Sequence, residues 1–385
     1  MAALKIKIQH PFWTIAAPVL AWILFAGKGL VSGAADAATS AHAAATSTSA
    51  HAASSAPGAI YTFLLAAALI ASVLAAVHFA EAIAHRIGEP FGALVLAVAV
   101  TSIEVALIIS LMLTPGHDTT TLARDTVFAA EMIIITGIVG GCLLLGGVKF
   151  KEQTFGLDGV SAALVVLTAI SVLTLILPNY TSSVPGPFYN NKQLAFVAVI
   201  SLILYGTFLL IQTVSHRAYF LQEDAPSPAD ANRPHPSAIF SVVFLLVSLA
   251  AVVVLAEYLA PGIESGVDSV GAPRSLVGII IAMVVLLPEC LSALNAAKNN
   301  QLQSSLNLAL GSALASIGLT IPAVAFVALY KGLPLTLGID TKSTVLFLLS
   351  LLIILLSLRT GRTTLLQGVV LLVIFAVYIF TTIVP

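Results

Sequence analysis

Apolar stretches of about 20 residues, broken by short polar segments, recur along the whole chain. The pattern predicts eleven membrane-crossing helices, at about 11–31, 59–80, 89–113, 126–148, 157–177, 193–214, 237–260, 275–298, 305–330, 343–359 and 363–384. Two polar breaks organise them. The stretch 34–58, AADAATSAHAAATSTSAHAASSAPG, is an Ala/Ser/Thr/His linker whose only charge is Asp36, and it sets the first helix apart from the other ten. The stretch 216–236, HRAYFLQEDAPSPADANRPHP, is rich in Pro and Asp and divides those ten into five and five.

The expected organisation is an N-terminal helix and linker over 1–58, a first five-helix repeat over 59–214, a polar loop over 215–236 and a second five-helix repeat over 237–385. Residues 1–38 also fit a secretory signal segment, since Lys5 and Lys7 precede the apolar run and SGAADA follows it. Placing the N-terminus in the cytoplasm puts ten Lys/Arg side chains there and six outside, the direction favoured by the positive-inside rule. Five spans per half then make the halves run in opposite senses. An all-α membrane protein of two inverted five-helix repeats is the architecture of secondary transporters that rock around a midplane site.

Composition agrees with this reading: 59% of residues are apolar, 9% are charged, and mean hydropathy is +1.07. A net charge of −1 with no basic block gives no sign of nucleic acid. Cys142 and Cys290 both fall in apolar segments without Cys-x-x-Cys or Cys/His spacing, so neither a disulfide framework nor a zinc site is implied. No resident cofactor is expected. Cations, protons and the lipid bilayer are the expected partners.

The informative positions are the exceptions to the apolar pattern. Glu104 lies in GEPFGALVLAVAVTSIEVALIISLML and Glu289 in LVGIIIAMVVLLPECLSALNAA, each in the second segment of its half. Glu104 is fourteen residues beyond Pro90 and nine before Leu113, too deep for its short side chain to reach water. A carboxylate in hydrocarbon must be protonated, paired or bound to a cation, so the two glutamates mark an ion pathway and suggest one shared site. Counting 27 residues on from each reaches Glu131 and Ser316; 23 residues on reaches Val127 and Ser312. Glu131, only five residues into its predicted segment, is also compatible with an interfacial position.

Neighbouring groups extend the site. Thr101 sits three residues before Glu104, where its hydroxyl can reach the carboxylate. Pro288 lacks an amide hydrogen and is expected to break its helix, freeing the Val284 carbonyl beside Glu289. Asn307, Gly311, Ser312 and Ala315 are expected to let a neighbouring backbone approach closely. Oxygen ligands of this kind suit Ca²⁺, with Na⁺ and H⁺ as competitors. Glu89 before Pro90 reads as a helix start or a point of proton uptake. His78, Glu81 and His85 share one helix face as a relay or, more simply, as interfacial groups.

The segments HRIGEPFGALVLAVAVTSIEVALI, RDTVFAAEMIIITGIVGGCLLLGG and LLPECLSALNAAKNNQLQSSLNLALGSALASIGLTIP resemble bacterial calcium/proton antiporters of the calcium/cation antiporter superfamily. The resemblance runs from about residue 60 to the C-terminus and omits the first helix and its linker. It implies a bacterial inner-membrane exchanger of Ca²⁺, Na⁺ or K⁺ against H⁺. It also implies cation or proton binding by Glu104 and Glu289, with third-helix contributions from Glu131, Ser312 and Ser316. Glu131 and Val127 depart from the Asn/Asp-type residue and serine usual in that superfamily. A passive cation channel could also line a pore with carboxylates, but an inverted repeat argues against it. An intramembrane hydrolase would need a motif such as H-E-x-x-H or G-x-S-x-G, which the chain lacks, so no catalytic residues are expected.

Overall fold

The computed structural model describes residues 11–27, 56–87, 91–113, 120–220, 238–269, 271, 273 and 275–384. They form eleven helices: α1 (Phe12–Ala26), α2 (Ala56–Ile87), α3 (Phe91–Leu113), α4 (Leu122–Phe150), α5 (Leu157–Tyr180), α6 (Asn191–Ser215), α7 (Ala238–Ser269), α8 (Ser275–Lys298), α9 (Leu302–Lys331), α10 (Thr341–Leu358) and α11 (Leu365–Ile383). Among the described residues nine are long and apolar enough to cross a membrane. In α3 the described apolar stretch is Val98–Leu113. At 15 residues α1 is about 22 Å long, short of a hydrocarbon layer of about 30 Å.

Helix ends follow from local chemistry. Asn190 and Gln193 form a reciprocal capping box at the start of α6, as Thr364 and Gln367 do for α11. The Asp340 carboxylate accepts from the Ser343 amide at the start of α10, and α9 ends at Gly332 in the left-handed conformation, φ 66°. A π-helical turn, Ile133–Ile138, interrupts α4 just after Glu131, where the Thr136 hydroxyl donates to the Met132 carbonyl.

The five helices α2–α6 and the five helices α7–α11 pack in reciprocal fashion. The second helix of each half lies on the third helix of the other: α3 on α9, and α8 on α4. The third helix of each half also packs on the last helix of the other, α4 on α11 and α9 on α6, while the first helices α2 and α7 pack on each other. Small residues permit the close crossings. A Cβ at Gly368 of α11 would overlap the Leu144 amide nitrogen and lie 2.9 Å from the Gly140 carbonyl oxygen; one at Gly318 of α9 would meet the Tyr205 side chain of α6 at 2.9 Å.

Polar ties gather the loops onto two faces. On one face, β1 (Glu152–Thr154) pairs antiparallel with β2 (Arg362–Thr364), Lys149 Nζ donates to the Lys298 carbonyl at 2.8 Å, and Asn307 Nδ2 donates to the Phe220 carbonyl at 2.7 Å. On the opposite face, Thr336 N donates to Thr120 O at 3.0 Å, Gly338 N to Pro187 O at 3.1 Å and Ile339 N to Leu175 O at 2.9 Å. The larger apolar core joins α4–α6 to α8–α11, and a second one unites α1, α2 and α7 with parts of α3 and α8.

Candidate functional site

Glu104, Glu131 and Glu289 are all buried, with 5%, 0% and 7% of their surface exposed. They lie on α3, α4 and α8, the helices that the reciprocal packing brings together with α9. Val100 and Val285, each one turn before its glutamate, join Val77 of α2 in one small apolar cluster. The acidic turns of α3 and α8 therefore flank the same contact.

The link between halves is direct at Glu104. Ser316 Oγ of α9 donates to Glu104 Oε1 at 2.7 Å, both groups being buried. Among the described residues this is the hydrogen bond that Glu104 accepts; it does not come from Thr101, which is buried one turn earlier on α3. α9 crosses α3 at the glutamate and offers its hydroxyl from outside the helix. Ser312, one turn before Ser316, is half-buried and makes no such bond.

Glu131 is fully enclosed by protein and does not face interfacial water. Both of its carboxylate oxygens are buried without a hydrogen-bond partner among the described residues, and its charge interacts with that of Glu104. A buried polar group left unbonded costs about 1–3 kcal/mol, so nothing in local stability explains a glutamate here. Among the described residues no group of three or more His, Cys, Asp or Glu side chains is placed to hold a metal ion. The glutamates share a neighbourhood without closing on one point, and hydroxyl or carbonyl oxygens would have to complete any coordination shell.

Three further expectations change. The helix does not break at Pro288: α8 runs as one α-helix through it, since the turns on either side supply their own bonds and only the Val284 carbonyl loses its ladder donor. Among the described residues Gly311 is not a close-approach position, because no atom of another element lies within 4 Å of where its Cβ would be. Asn307 is spoken for at the far end of α9, accepting from Gln303 Nε2 at 3.0 Å and donating to the Phe220 carbonyl. The His78 ring lies 6.3 Å from that of Trp13 on α1, which places it at the α1–α2 contact. Glu89 and the side chains of Glu81 and His85 lie outside the described residues.

Arg124 and Asp125 stand in the first turn of α4. Arg124 Nη2 and Asp125 Oδ1 pair at 2.7 Å, and Arg124 Nη1 donates to the Gly338 carbonyl at 3.0 Å, tying α4 to the α9–α10 loop of the other half. Adjacent opposite charges at a helix start were the available signal; their partner across the halves was not.

A profile of the sodium/calcium exchanger protein family matches residues 57–214 and 240–384. The chain is 44% identical over 324 residues to the putative ionic transporter y4hA of Sinorhizobium fredii, covering 84% of this chain and 88% of that one. It is 38% identical over 310 residues to the sodium-potassium/proton antiporter ChaA of Escherichia coli, covering 79% and 84%. Its fold is similar to that of native YfkE, with a TM-score of 0.65 and 18% identity over 85% of this chain and 92% of that one. It is also similar to the H⁺/Ca²⁺ exchanger CAX, with a TM-score of 0.62 and 14% identity over 83% of this chain and 82% of that one. With both halves matched by the profile and a relative of this identity along most of its length, the chain belongs to the sodium/calcium exchanger protein family.

Proposed function

We propose that the chain is a secondary antiporter that exports Ca²⁺, Na⁺ or K⁺ in exchange for protons, by alternating access at Glu104 and Glu289. The observation that carries this reading is the buried Glu104 carboxylate held at 2.7 Å by Ser316 from the opposite half. A carboxylate bonded across the interface between two halves reports its charge state to both of them. Names of relatives support the cation class: one is a sodium-potassium/proton antiporter, and another, from Aphanothece halophytica and 26% identical over 267 residues, is a Ca(2+)/H(+) antiporter.

The mechanism is competition for the same oxygens. With both glutamates ionised, a cation is attracted and its charge balanced, and the neutralised site can change the face to which it opens. Empty carboxylates cannot make the return cheaply, because a low-dielectric surrounding disfavours the charged form. Protons must neutralise them first, which couples inward proton flow to outward cation movement. Ser316 and Thr101 provide nearby hydroxyls, Pro288 leaves the Val284 carbonyl available, and Glu131 adds a third carboxylate that interacts with Glu104. Ser312 is a lesser contributor, one turn away.

In this reading 59–214 and 237–385 are the two repeats, and the face carrying Lys149, Lys151, Lys298, Arg359 and Arg362 is cytoplasmic, in the inner membrane of a bacterium. The test is collapse of a pH gradient in everted vesicles by Ca²⁺, Na⁺ and K⁺ in turn, for the wild type, Glu104→Gln and Glu289→Gln. Both variants should be inactive at normal abundance. Exchange at the wild-type rate in either would end the paired-carboxylate mechanism, and cation flux without proton counterflow would indicate a channel.

A further inference from the structure

Exposed bases gather where the two halves meet on the face of β1 and β2. Lys149 and Lys151 stand at the end of α4, Lys298 at the end of α8, and Arg359 and Arg362 in the turn from α10 to α11. Two contacts hold these three turns, one from the first half and two from the second, against one another. β1 pairs with β2, which sets Thr154 opposite Arg362, and Lys149 Nζ donates to the Lys298 carbonyl at 2.8 Å. All five basic residues are exposed. Two acids accompany them: Glu152, 3.5 Å from Arg362, and Asp158 in the first turn of α5. Among the described residues Lys151, Lys298 and Arg359 have no acidic partner.

The positive-inside bias accounts for an excess of bases on one face but not for their collection at one point. On the opposite face Arg124 is paired with Asp125, and Lys342 shares a cavity wall with Asp340. Lys151 also stands at φ 68°, a backbone region that favours glycine, so a long basic side chain occupies a place where the turn by itself would select none.

Immediately beside the bases the surface is apolar. Val148 precedes Lys149 and is 68% exposed; Leu365 and Leu366 follow β2 and are 42% and 67% exposed. The two helix ends touch, since a Cβ at Gly147 would lie 2.6 Å from the Leu365 amide nitrogen. From Leu366 the exposed apolar positions continue along one face of α11 at Val369 and Val373, three and seven residues on. A patch that is basic at its head and apolar along its length matches a phospholipid with an anionic headgroup, whose phosphate meets the bases while an acyl chain follows α11. A soluble anion, a nucleic acid or an acidic peptide would leave the apolar part unused.

We propose that Lys149, Lys151, Lys298, Arg359 and Arg362 form a binding site for the headgroup of an anionic phospholipid, which bridges the α4–α5 turn of the first half to the α8 and α10 ends of the second. Guanidinium groups supply paired donors to phosphate oxygens, and ammonium groups supply point charges. Because the bound lipid touches both halves, it stabilises their contact on this face. The inference goes beyond the antiport reading and does not depend on which ion is carried.

The experiment titrates the full chain, in a neutral detergent, with phosphatidylglycerol or with phosphatidylcholine of the same acyl chains. Bound lipid is counted by native mass spectrometry, and thermal unfolding is followed in parallel. Phosphatidylglycerol should be retained at lower concentration than phosphatidylcholine and should raise the melting temperature more. Each base near an anionic lipid surface contributes about fivefold to association, so Lys151→Gln with Arg359→Gln should raise the half-saturating concentration about 25-fold. That pair removes no ion pair or side-chain hydrogen bond among the described residues. Lys331→Gln, on the opposite face, should leave the concentration within about twofold. If the double variant cannot be purified as a monodisperse protein, Lys298→Gln decides the matter, with an expected loss of about fivefold. Equal retention of the two lipids by the wild type, an unchanged concentration in the double variant, or an equal loss in Lys331→Gln overturns the proposal. Release of bound phosphatidylglycerol by millimolar glycerol phosphate marks a site for free phosphate and overturns the assignment to lipid.

Discussion

Replacing Ser316 with alanine removes one hydroxyl at a position that is 2% exposed and bonded at 2.7 Å to Glu104. The helix is unaffected in principle, since alanine is the better helix former, and the void left is smaller than a water molecule. What is lost is a hydrogen bond to a carboxylate in a low-dielectric setting. Bonds to charged groups contribute about 1.5–3 kcal/mol, so the ionised, cation-binding state should lose about ten- to hundredfold in apparent affinity. Ser312 offers an internal control. It is half-buried and does not bond Glu104, so Ser312→Ala should change affinity by less than about threefold, the scale of a surface substitution. The assay is the concentration of each cation giving half-maximal collapse of a pH gradient, at matched protein abundance. Equal effects of the two serine variants, or an unchanged affinity in Ser316→Ala, would refute the claim that this bond prepares the site.

Glu131 should show the opposite signs of stability and activity: Glu131→Leu removes two unbonded buried oxygens and should raise the melting temperature in detergent, by the equivalent of about 1–3 kcal/mol, while exchange is lost. A fall in stability would assign Glu131 to packing instead. Gly368→Ala, whose Cβ would overlap the backbone of α4, should destabilise the α4–α11 crossing by about 1–3 kcal/mol, read as a lower melting temperature in detergent; an unchanged value would mean that the helices part without cost.

Much of the fold follows from periodicity and composition, because each membrane helix must satisfy its own backbone within about 20 apolar residues. Glu104 and Glu289 stood out for the same reason, as charges where hydrocarbon tolerates none. The 27-residue interval pointed to Ser316 and Glu131 as counterparts but said nothing of which glutamate each would meet. Spacing along one chain fixes faces of single helices; α9 reaches Glu104 because the halves exchange their third helices, and that exchange is a matter of packing. Pro288 was misleading for a related cause. A proline removes one donor, and whether the helix opens there depends on the support that α4, α9 and the turns around it provide.

The sequence alone therefore determined an all-helical membrane chain with eleven apolar helices and the positions of its membrane acids, since these depend on solvent and local chemistry. Only the tertiary structure decided that Ser316 bonds Glu104, that Glu131 is enclosed without a hydrogen-bond partner among the described residues, and that Arg124 reaches Gly338 in the other half. Such pairings join residues more than 200 positions apart. They are set by which helix surfaces fit, a property of two surfaces together that neither segment encodes by itself.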